Sequence, residues 1–333
     1  MLMQHTFCRT PLPPKTMLSL LSERYATRRY HGSSVSMRMD LPRGSLVALI
    51  TPMTESGEVD VASLRALLEW HVEAGTDGIV VLGTTGEAST LSTKERELVL
   101  TVTREEVGGK VPIVAGTGAV DPVAAIANGA MAAACGADAC LVVTPYYVKP
   151  TQAGLVRFFE HLAARSDLPL VLYNVPGRTG VDMRTETVAA AAAAHPLVAG
   201  MKEATGDVAR AAALRRSCPP GFLLYSGDDA TASQFTLSGG DGVISVTANV
   251  VPDLMHRVMA AAVVGDAEEV ERLEAPLRLL HDRLFVQSNP IPTKWAAQRM
   301  GRIPGGGIRL PLTPLEAAYE APVEEALRAA GCI

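Results

Sequence analysis

Short apolar runs that alternate with helical stretches constrain the fold of this chain more than any other feature. Eight runs follow one another between residues 45 and 246. They read SLVALI (45–50), DGIVVL (77–82), VPIVAG (111–116), DACLVV (138–143), LPLVLY (168–173), PLVAGM (196–201), FLLYSG (222–227) and DGVISV (241–246). Each run is almost continuously apolar, as strands are when both faces of a parallel sheet are covered.

The segments between these runs carry helix signals. Ser92 and Glu95 have the spacing of a capping box, and Asp121–Pro122 has that of a helix cap followed by proline. Residues 60–74 place leucines on one face before Gly75, and residues 185–195 are mostly alanine. Strands alternating with helices predict a (β/α)8, or TIM, barrel over residues 40–265, and a doubly wound sheet is the alternative. Residues 266–333 are expected to form helices packed on the barrel.

The first 39 residues differ in composition from the rest of the chain. They hold six basic residues and one acidic residue, which leaves 24 basic and 34 acidic residues in 40–333. A stretch rich in arginine and serine and poor in acids predicts an organellar transit peptide, and hence a plastid location. A mis-assigned start codon, with Met37 or Met39 as the true start, is the alternative and would favour the cytoplasm.

Composition excludes several classes of protein. The net charge of −5 offers no basic surface for nucleic acid, and no apolar run has the length of a membrane helix. The five cysteines form no C-x-x-C motif, and the seven histidines show no metal-ligand spacing. We therefore expect no metal, no nucleic acid partner and no membrane partner.

Polar side chains that can do chemistry follow the strands. In a barrel of this kind the active site lies at the carboxyl ends of the strands. The residues expected there are Thr84 and Thr85, Tyr146 and Tyr147, Tyr173 and Arg178, Lys202, Gly227, and Ile244 with Ser245. An amine, phenols, hydroxyls and a guanidinium would thus meet at one mouth.

Lys202 ends the sixth run, in the segment LVAGMKEATG (197–206). Burial in apolar surroundings lowers the pKa of a lysine, and only the neutral amine attacks a ketone. The resulting iminium is an electron sink that turns the neighbouring carbon into a nucleophile once it loses a proton. The alternative is a lysine that simply reaches water at a strand end.

Seven motifs in order resemble the dihydrodipicolinate synthase family over roughly residues 44–330. They are GTTGE, VTPYY, YNVPGRTG, MKEATG, YSGDD, GVISVTAN and NPIPTKWA. GTTGE alone would indicate only the wider superfamily of pyruvate-dependent class I aldolases and lyases. The resemblance implies condensation of pyruvate with L-aspartate-4-semialdehyde through a lysine Schiff base, in lysine and diaminopimelate biosynthesis, with no cofactor.

The resemblance also implies a role for each matching residue. Lys202 would form the Schiff base, Tyr173 would be the acid/base beside it, and Thr84 with Tyr147 would complete a proton relay. Tyr147 would come from the neighbouring subunit, which implies a homodimer, usually within a homotetramer. Thr85 and Ile244 would contact pyruvate, while Arg178 and Gly227 would form the semialdehyde pocket.

One departure from the family pattern bears on regulation. Members inhibited by lysine typically carry histidine or another polar group just after GTTGE, and asparagine and glutamate soon after the GTGA turn. This chain has Ala88, Thr93 and Arg96 in the first stretch, and in the second it has Val120 and Ala124, whose side chains cannot bind an ammonium. We expect feedback inhibition by lysine to be weak or absent. Two other functions stay open: another class I pyruvate aldolase, acting on hydroxy-oxoglutarate or keto-sugar acids, and a non-catalytic barrel that binds a keto acid.

Overall fold

Eight parallel strands close into a barrel in a computed structural model that describes residues 41–333. The transit peptide predicted for residues 1–39 lies outside the described residues. Each strand pairs with the next in the chain, and β1 pairs with β8. In order, β1 to β8 are Gly44–Ala48, Gly78–Val81, Ile113–Gly116, Ala139–Val143, Leu170–Asn174, Val198–Glu203, Leu223–Ser226 and Gly242–Ser245. All eight predicted strands and the TIM-barrel fold are confirmed, and the doubly wound alternative is wrong.

Helices surround this barrel and continue beyond it. They are α1 (Val61–Glu73), α2 (Thr93–Val107), α3 (Pro122–Ala134), α4 (Gln152–Ala163), α5 (Pro176–Thr179), α6 (Thr185–Ala194), α7 (Ala209–Ser217), α8 (Ala232–Leu237), α9 (Pro252–Val264), α10 (Ala267–Glu274), α11 (Arg278–Arg283), α12 (Ile291–Arg299) and α13 (Ala317–Ala329). None of these helices is both long and apolar enough to cross a membrane.

The helix signals seen in the sequence act as expected. Ser92 accepts a hydrogen bond from the Glu95 backbone N–H, and the Glu95 carboxylate accepts one from the Ser92 N–H at 2.8 Å. The Asp121 side chain caps α3 by accepting from the Val123 N–H, with Pro122 in the first turn. These contacts satisfy backbone donors that have no partner within the helix.

The C-terminal helices share one core with part of the barrel. Leu273 of α10, Ala296 of α12 and Leu327 of α13 belong to the same apolar cluster as Val47 of β1 and Met259 of α9. This packing places the segment that precedes α12 against the loop after β2, where the candidate site lies. The domain boundary at residue 265 stays a prediction.

An irregularity in β6 decides which way its side chains face. The register with β5 shifts by one residue between the pairs Leu170–Val198 and Val171–Gly200. Val198 and Met201 both lie in the cluster between barrel and helices, although strict alternation would put them on opposite faces. The shift therefore inverts the alternation, and Lys202 comes to face the barrel interior beside Tyr173. Gly200 suits this position, because a Cβ there would lie 2.9 Å from the Leu223 carbonyl oxygen.

Candidate active site

Lys202 lies at the carboxyl end of β6, and its side chain is almost completely buried. Only 5% of the residue is exposed, and its Nζ lies 4.6 Å from the centroid of the Tyr173 ring. The two residues are direct partners in the β5–β6 ladder, which accounts for their proximity. Gly227 of the loop after β7 closes this space, since a Cβ there would lie 2.8 Å from Lys202 Cε.

Electrostatics favours the neutral form of the Lys202 amine. The pKa of Lys202 is lowered to about 8, mainly by loss of hydration on burial; the carboxylate of Asp229 opposes this shift and the positive charge of Arg178 adds to it. None of the ion pairs between described residues involves Lys202. With a pKa of about 8, roughly a tenth of this amine is unprotonated at pH 7, whereas an ordinary lysine is almost fully protonated there.

Glu203 is the next residue in the strand but points away from Lys202. Its carboxylate accepts hydrogen bonds from the Thr205 backbone N–H at 2.8 Å and from Asn174 at 3.2 Å, and it lies 3.1 Å from Arg210 Nε. Burial raises the pKa of Glu203, and the Arg210 charge and these hydrogen bonds counteract the shift. The one carboxylate adjacent to Lys202 in sequence is thus engaged elsewhere.

Tyr173 is buried beside Lys202, and Thr84 lines the same two cavities as Tyr173. Burial raises the pKa of Tyr173, while the Arg178 charge and the nearby Thr84 hydroxyl lower it. A protonated phenol near a hydroxyl, and close to an amine, can pass a proton in either direction.

Thr85 lies in the turn after β2 and is buried, unlike the neighbouring Thr84. Its Oγ1 accepts a hydrogen bond from Asn289 Nδ2 at 2.8 Å. The turn itself is fixed to the barrel, because Thr51 Oγ1 donates to the Gly86 carbonyl at 2.8 Å.

A cavity of about 250 Å³ brings most of the predicted site residues together. Its lining includes Thr84, Thr85, Tyr173, Arg178, Lys202 and Gly227. A second cavity of about 400 Å³ also borders Thr84, Tyr173 and Arg178, and it extends to Arg96 and Tyr146. A small keto acid fits beside Lys202, with Arg178 at the open side for a carboxylate.

Four predicted residues do not line the cavity that contains Lys202. Tyr146 borders only the larger cavity, and Ser245 is buried with its Oγ accepting from the Ala248 N–H at 2.8 Å. Ile244 lies deeper, in the apolar cluster of the barrel interior that includes Tyr173. Tyr147 is 90% exposed, and its backbone N–H donates to the Thr179 carbonyl at 3.2 Å, in the short helix that carries Arg178.

Backbone strain is concentrated at this end of the barrel. Among residues 41–333, the non-glycine residues with positive φ are Leu82, Glu87, Tyr147 and Lys149. All four lie in the two loops that follow β2 and β4. Such conformations are typical of functional loops held by their surroundings.

Sequence reasoning missed three features of the site. Asp229 is not among the residues predicted for the site, yet its Oδ2 accepts from the Val246 and Thr247 N–H groups at 2.8 and 3.0 Å, and its charge acts on Lys202. Asn289 and the buried pair Glu87–Lys294 were also missed. The signal was present, because these residues belong to the GTTGE and NPIPTKWA motifs.

A closed barrel with a partly neutral amine, a phenol and a guanidinium at one mouth defines a lyase of the class I aldolase type. The comparisons with known proteins agree with this class. The model of the "Dihydrodipicolinate synthetase family" matches residues 41–330, and the chain belongs to this family.

Curated relatives and solved structures match most of the chain. The 4-hydroxy-tetrahydrodipicolinate synthase of Methylococcus capsulatus is 53% identical over 291 residues, which cover 87% of this chain and 99% of the relative. That of Ralstonia nicotianae is 51% identical over 290 residues, covering 87% and 98%. The chloride-inhibited dihydrodipicolinate synthase of Acinetobacter baumannii, solved with pyruvate, superposes with a TM-score of 0.86 at 49% identity, covering 87% and 99%.

Proposed function

We propose that this lyase condenses pyruvate with L-aspartate-4-semialdehyde to 4-hydroxy-tetrahydrodipicolinate through a Schiff base on Lys202. The observation that carries the proposal is the buried Lys202 amine, which has a lowered pKa and faces Tyr173. The family membership and the names of the relatives support the same reaction.

The first half of the reaction uses Lys202 and Tyr173. The neutral Nζ attacks the keto carbon of pyruvate, and the resulting carbinolamine loses water to give an iminium. Tyr173 donates the proton that the departing hydroxide needs, and Thr84 holds the phenol in place. The Tyr173 phenolate then takes a methyl proton, which gives an enamine whose carbon attacks the aldehyde of the second substrate, and the phenol returns the proton to the new alkoxide. Attack of that substrate's amine on the iminium carbon closes the ring and releases Lys202.

The carboxylates of the two substrates are expected to bind at two different places in the same cavity. Thr85 and the backbone N–H groups of its turn suit the carboxylate of pyruvate. Arg178 suits the carboxylate of the semialdehyde, because a guanidinium binds a carboxylate with two parallel hydrogen bonds. Gly227 leaves room for both substrates beside Lys202. Ile244 supports the pocket from below.

Tyr147 is proposed to act in the site of a neighbouring subunit, within a dimer or tetramer. Its exposure and its position outside the cavity lining support this assignment. The test mixes two inactive variants, Lys202→Met and Tyr147→Phe, under conditions that exchange subunits. A shared site predicts recovery of activity, because mixed dimers contain one site with both native residues. Lack of recovery, with exchange verified, would place Tyr147 outside the partner's site.

Borohydride trapping tests the mechanism. The protein is incubated with pyruvate, reduced and digested, and the modified peptide is identified by mass spectrometry. A reduced adduct on Lys202 is expected. Pyruvate binding without an adduct would favour the non-catalytic barrel. Retro-aldol cleavage of hydroxy-oxoglutarate or keto-sugar acids that exceeds turnover of the semialdehyde would favour the other aldolases.

Weak lysine inhibition is supported by the charge around the larger cavity. Arg96 lies in its lining with Ala88, and its guanidinium donates to the Ala88 and Leu91 carbonyls at 2.6 and 3.2 Å. A guanidinium held there repels an ammonium group. A lysine titration of activity should show little inhibition, and strong inhibition at sub-millimolar lysine would contradict the prediction.

A further inference from the structure

The segment that begins α12 contacts the substrate-binding turn from outside the barrel. Asn289, two residues before α12, donates from Nδ2 to Thr85 Oγ1 at 2.8 Å. Both residues are buried, with 5% of Asn289 and 3% of Thr85 exposed. Asn289 also lines the cavity that contains Lys202, so the contact lies at the wall of the site.

The direction of this hydrogen bond has a chemical consequence. The amide nitrogen of asparagine can only donate, whereas a hydroxyl has one proton to donate and two lone pairs to accept with. On the other side of the amide, Thr293 Oγ1 donates to Asn289 Oδ1 at 3.5 Å. Because the Thr85 oxygen accepts from Asn289, its own proton remains available for an acceptor in the cavity.

A second contact, from α12 itself, fixes the other end of the turn that carries Thr85. Lys294 Nζ lies 2.5 Å from Glu87 Oε1, and both side chains are buried. The Glu87 carboxylate also accepts from the Arg309 backbone N–H at 3.3 Å. Thr85 and Glu87, two residues apart, are therefore both held by the C-terminal region, so the turn has little freedom to move away from Asn289.

We propose that Asn289 is a positioning residue that fixes the Thr85 hydroxyl as a hydrogen-bond donor toward the carboxylate of the keto acid. The role rests on the proposed function, since it needs a carboxylate acceptor in the cavity. Asn289 thereby selects for 2-keto acids over ketones that lack the carboxylate.

A double-mutant cycle on the KM for pyruvate tests this role, with Thr85→Val, Asn289→Ala and the double variant. A hydrogen bond to a charged group is strong enough that Thr85→Val should raise KM about tenfold or more. Asn289→Ala should raise KM several-fold with a smaller change in kcat, and it should have little further effect in the Thr85→Val background. Effects that multiply, or a KM that does not change, would overturn the proposal.

Asn289→Asp tests the direction of the hydrogen bond with a side chain of nearly the same shape. The carboxylate can only accept, so it would draw the Thr85 proton away from the substrate, and it adds a negative charge near the pyruvate carboxylate. It should raise KM for pyruvate more than Asn289→Ala does. If Asn289→Ala fails to fold, the proposal is decided by this variant, and an unchanged KM would overturn it.

Ser233→Ala is the matched control for loss of a buried polar contact. Ser233 of α8 donates to the Glu274 carboxylate of α10 at 2.8 Å, and neither residue lines the cavity with Lys202. Ser233→Ala should lower the melting temperature of the protein and leave its KM for pyruvate unchanged. Trapping of pyruvate on wild-type Lys202 distinguishes failure of the proposed function from failure of the role of Asn289. An adduct combined with an additive cycle refutes only the role of Asn289, whereas no adduct refutes the proposed function and this role with it.

Discussion

Two buried lysines, Lys202 and Lys294, occupy contrasting environments around the same turn. They are 5% and 1% exposed, and burial is the largest cause that lowers the pKa of each. Lys294 has the Glu87 carboxylate oxygen at 2.5 Å. Lys202 instead faces the Tyr173 ring and the positive charge of Arg178.

The difference shows that depth of burial alone does not make a lysine reactive. The Glu87 carboxylate stabilises the ammonium form of Lys294, in which no lone pair is free to attack a ketone. Such a lysine suits a structural ion pair. Lys202 loses hydration without gaining such a partner, so the neutral amine becomes accessible. Both lysines serve the same site, one as the proposed nucleophile and the other as support for the turn that carries Thr84 and Thr85.

The largest expected difference between the two lysines is in chemistry. Lys202→Met should abolish the borohydride-trapped adduct and lower kcat/KM by more than about a thousandfold, because among the described residues no other lysine lines this cavity. Lys294→Met should retain the adduct on Lys202 when folded protein is assayed. Loss of the adduct in Lys294→Met together with its retention in Lys202→Met would reverse the assignment.

Stability should respond in the opposite order. Lys294→Met leaves the buried Glu87 carboxylate unpaired, which should lower the free energy of unfolding by about 3–5 kcal/mol. Urea unfolding followed by circular dichroism measures this loss. Adding Glu87→Gln to Lys294→Met removes the unpaired charge and should recover part of the lost free energy of unfolding. A Lys294→Met variant as stable as wild type would show that the pair is not a structural element.

Replacement of Lys202 should stabilise the protein near neutral pH. A pKa lowered from 10.5 to about 8 means that folding disfavours the ammonium, at a cost of up to about 3 kcal/mol below pH 8. The unfolded state binds more protons between the two pKa values, so wild-type stability rises with pH there. The advantage of Lys202→Met should therefore be greatest at pH 7 and small near pH 10.5. Melting temperatures of both proteins at the two pH values measure it.

The smallest effect is the pH dependence of imine formation. Below the pKa of about 8, the neutral fraction of Lys202 falls about tenfold for each pH unit, and kcat/KM for pyruvate should fall with it. The profile between pH 6 and 9 measures this slope. A flat profile would mean that Lys202 is already neutral at pH 6 or is not the nucleophile.

Local patterns were sufficient to predict the barrel and most of the residues around its mouth. Near-continuous apolar runs and caps such as Ser92–Glu95 depend on residues close together in the chain, and the structure contains the corresponding elements. The motifs at strand ends predicted Lys202, Tyr173 and Thr84 together, because all carboxyl ends of a parallel barrel face one side. Asp229 was not predicted, since its action on Lys202 crosses from one strand end to another.

The sequence by itself determined that eight strands alternate with helices and that a lysine follows the sixth apolar run. Only the tertiary structure decided that Lys202 faces inward, because the one-residue register shift against β5 inverts an alternation that would otherwise turn it toward the helices. It also decided that Asn289 contacts Thr85 across 204 residues and that Glu87, not Glu203, pairs with a lysine. Periodicity is a local property of the chain, whereas the partner of a buried polar group is chosen by packing between distant segments.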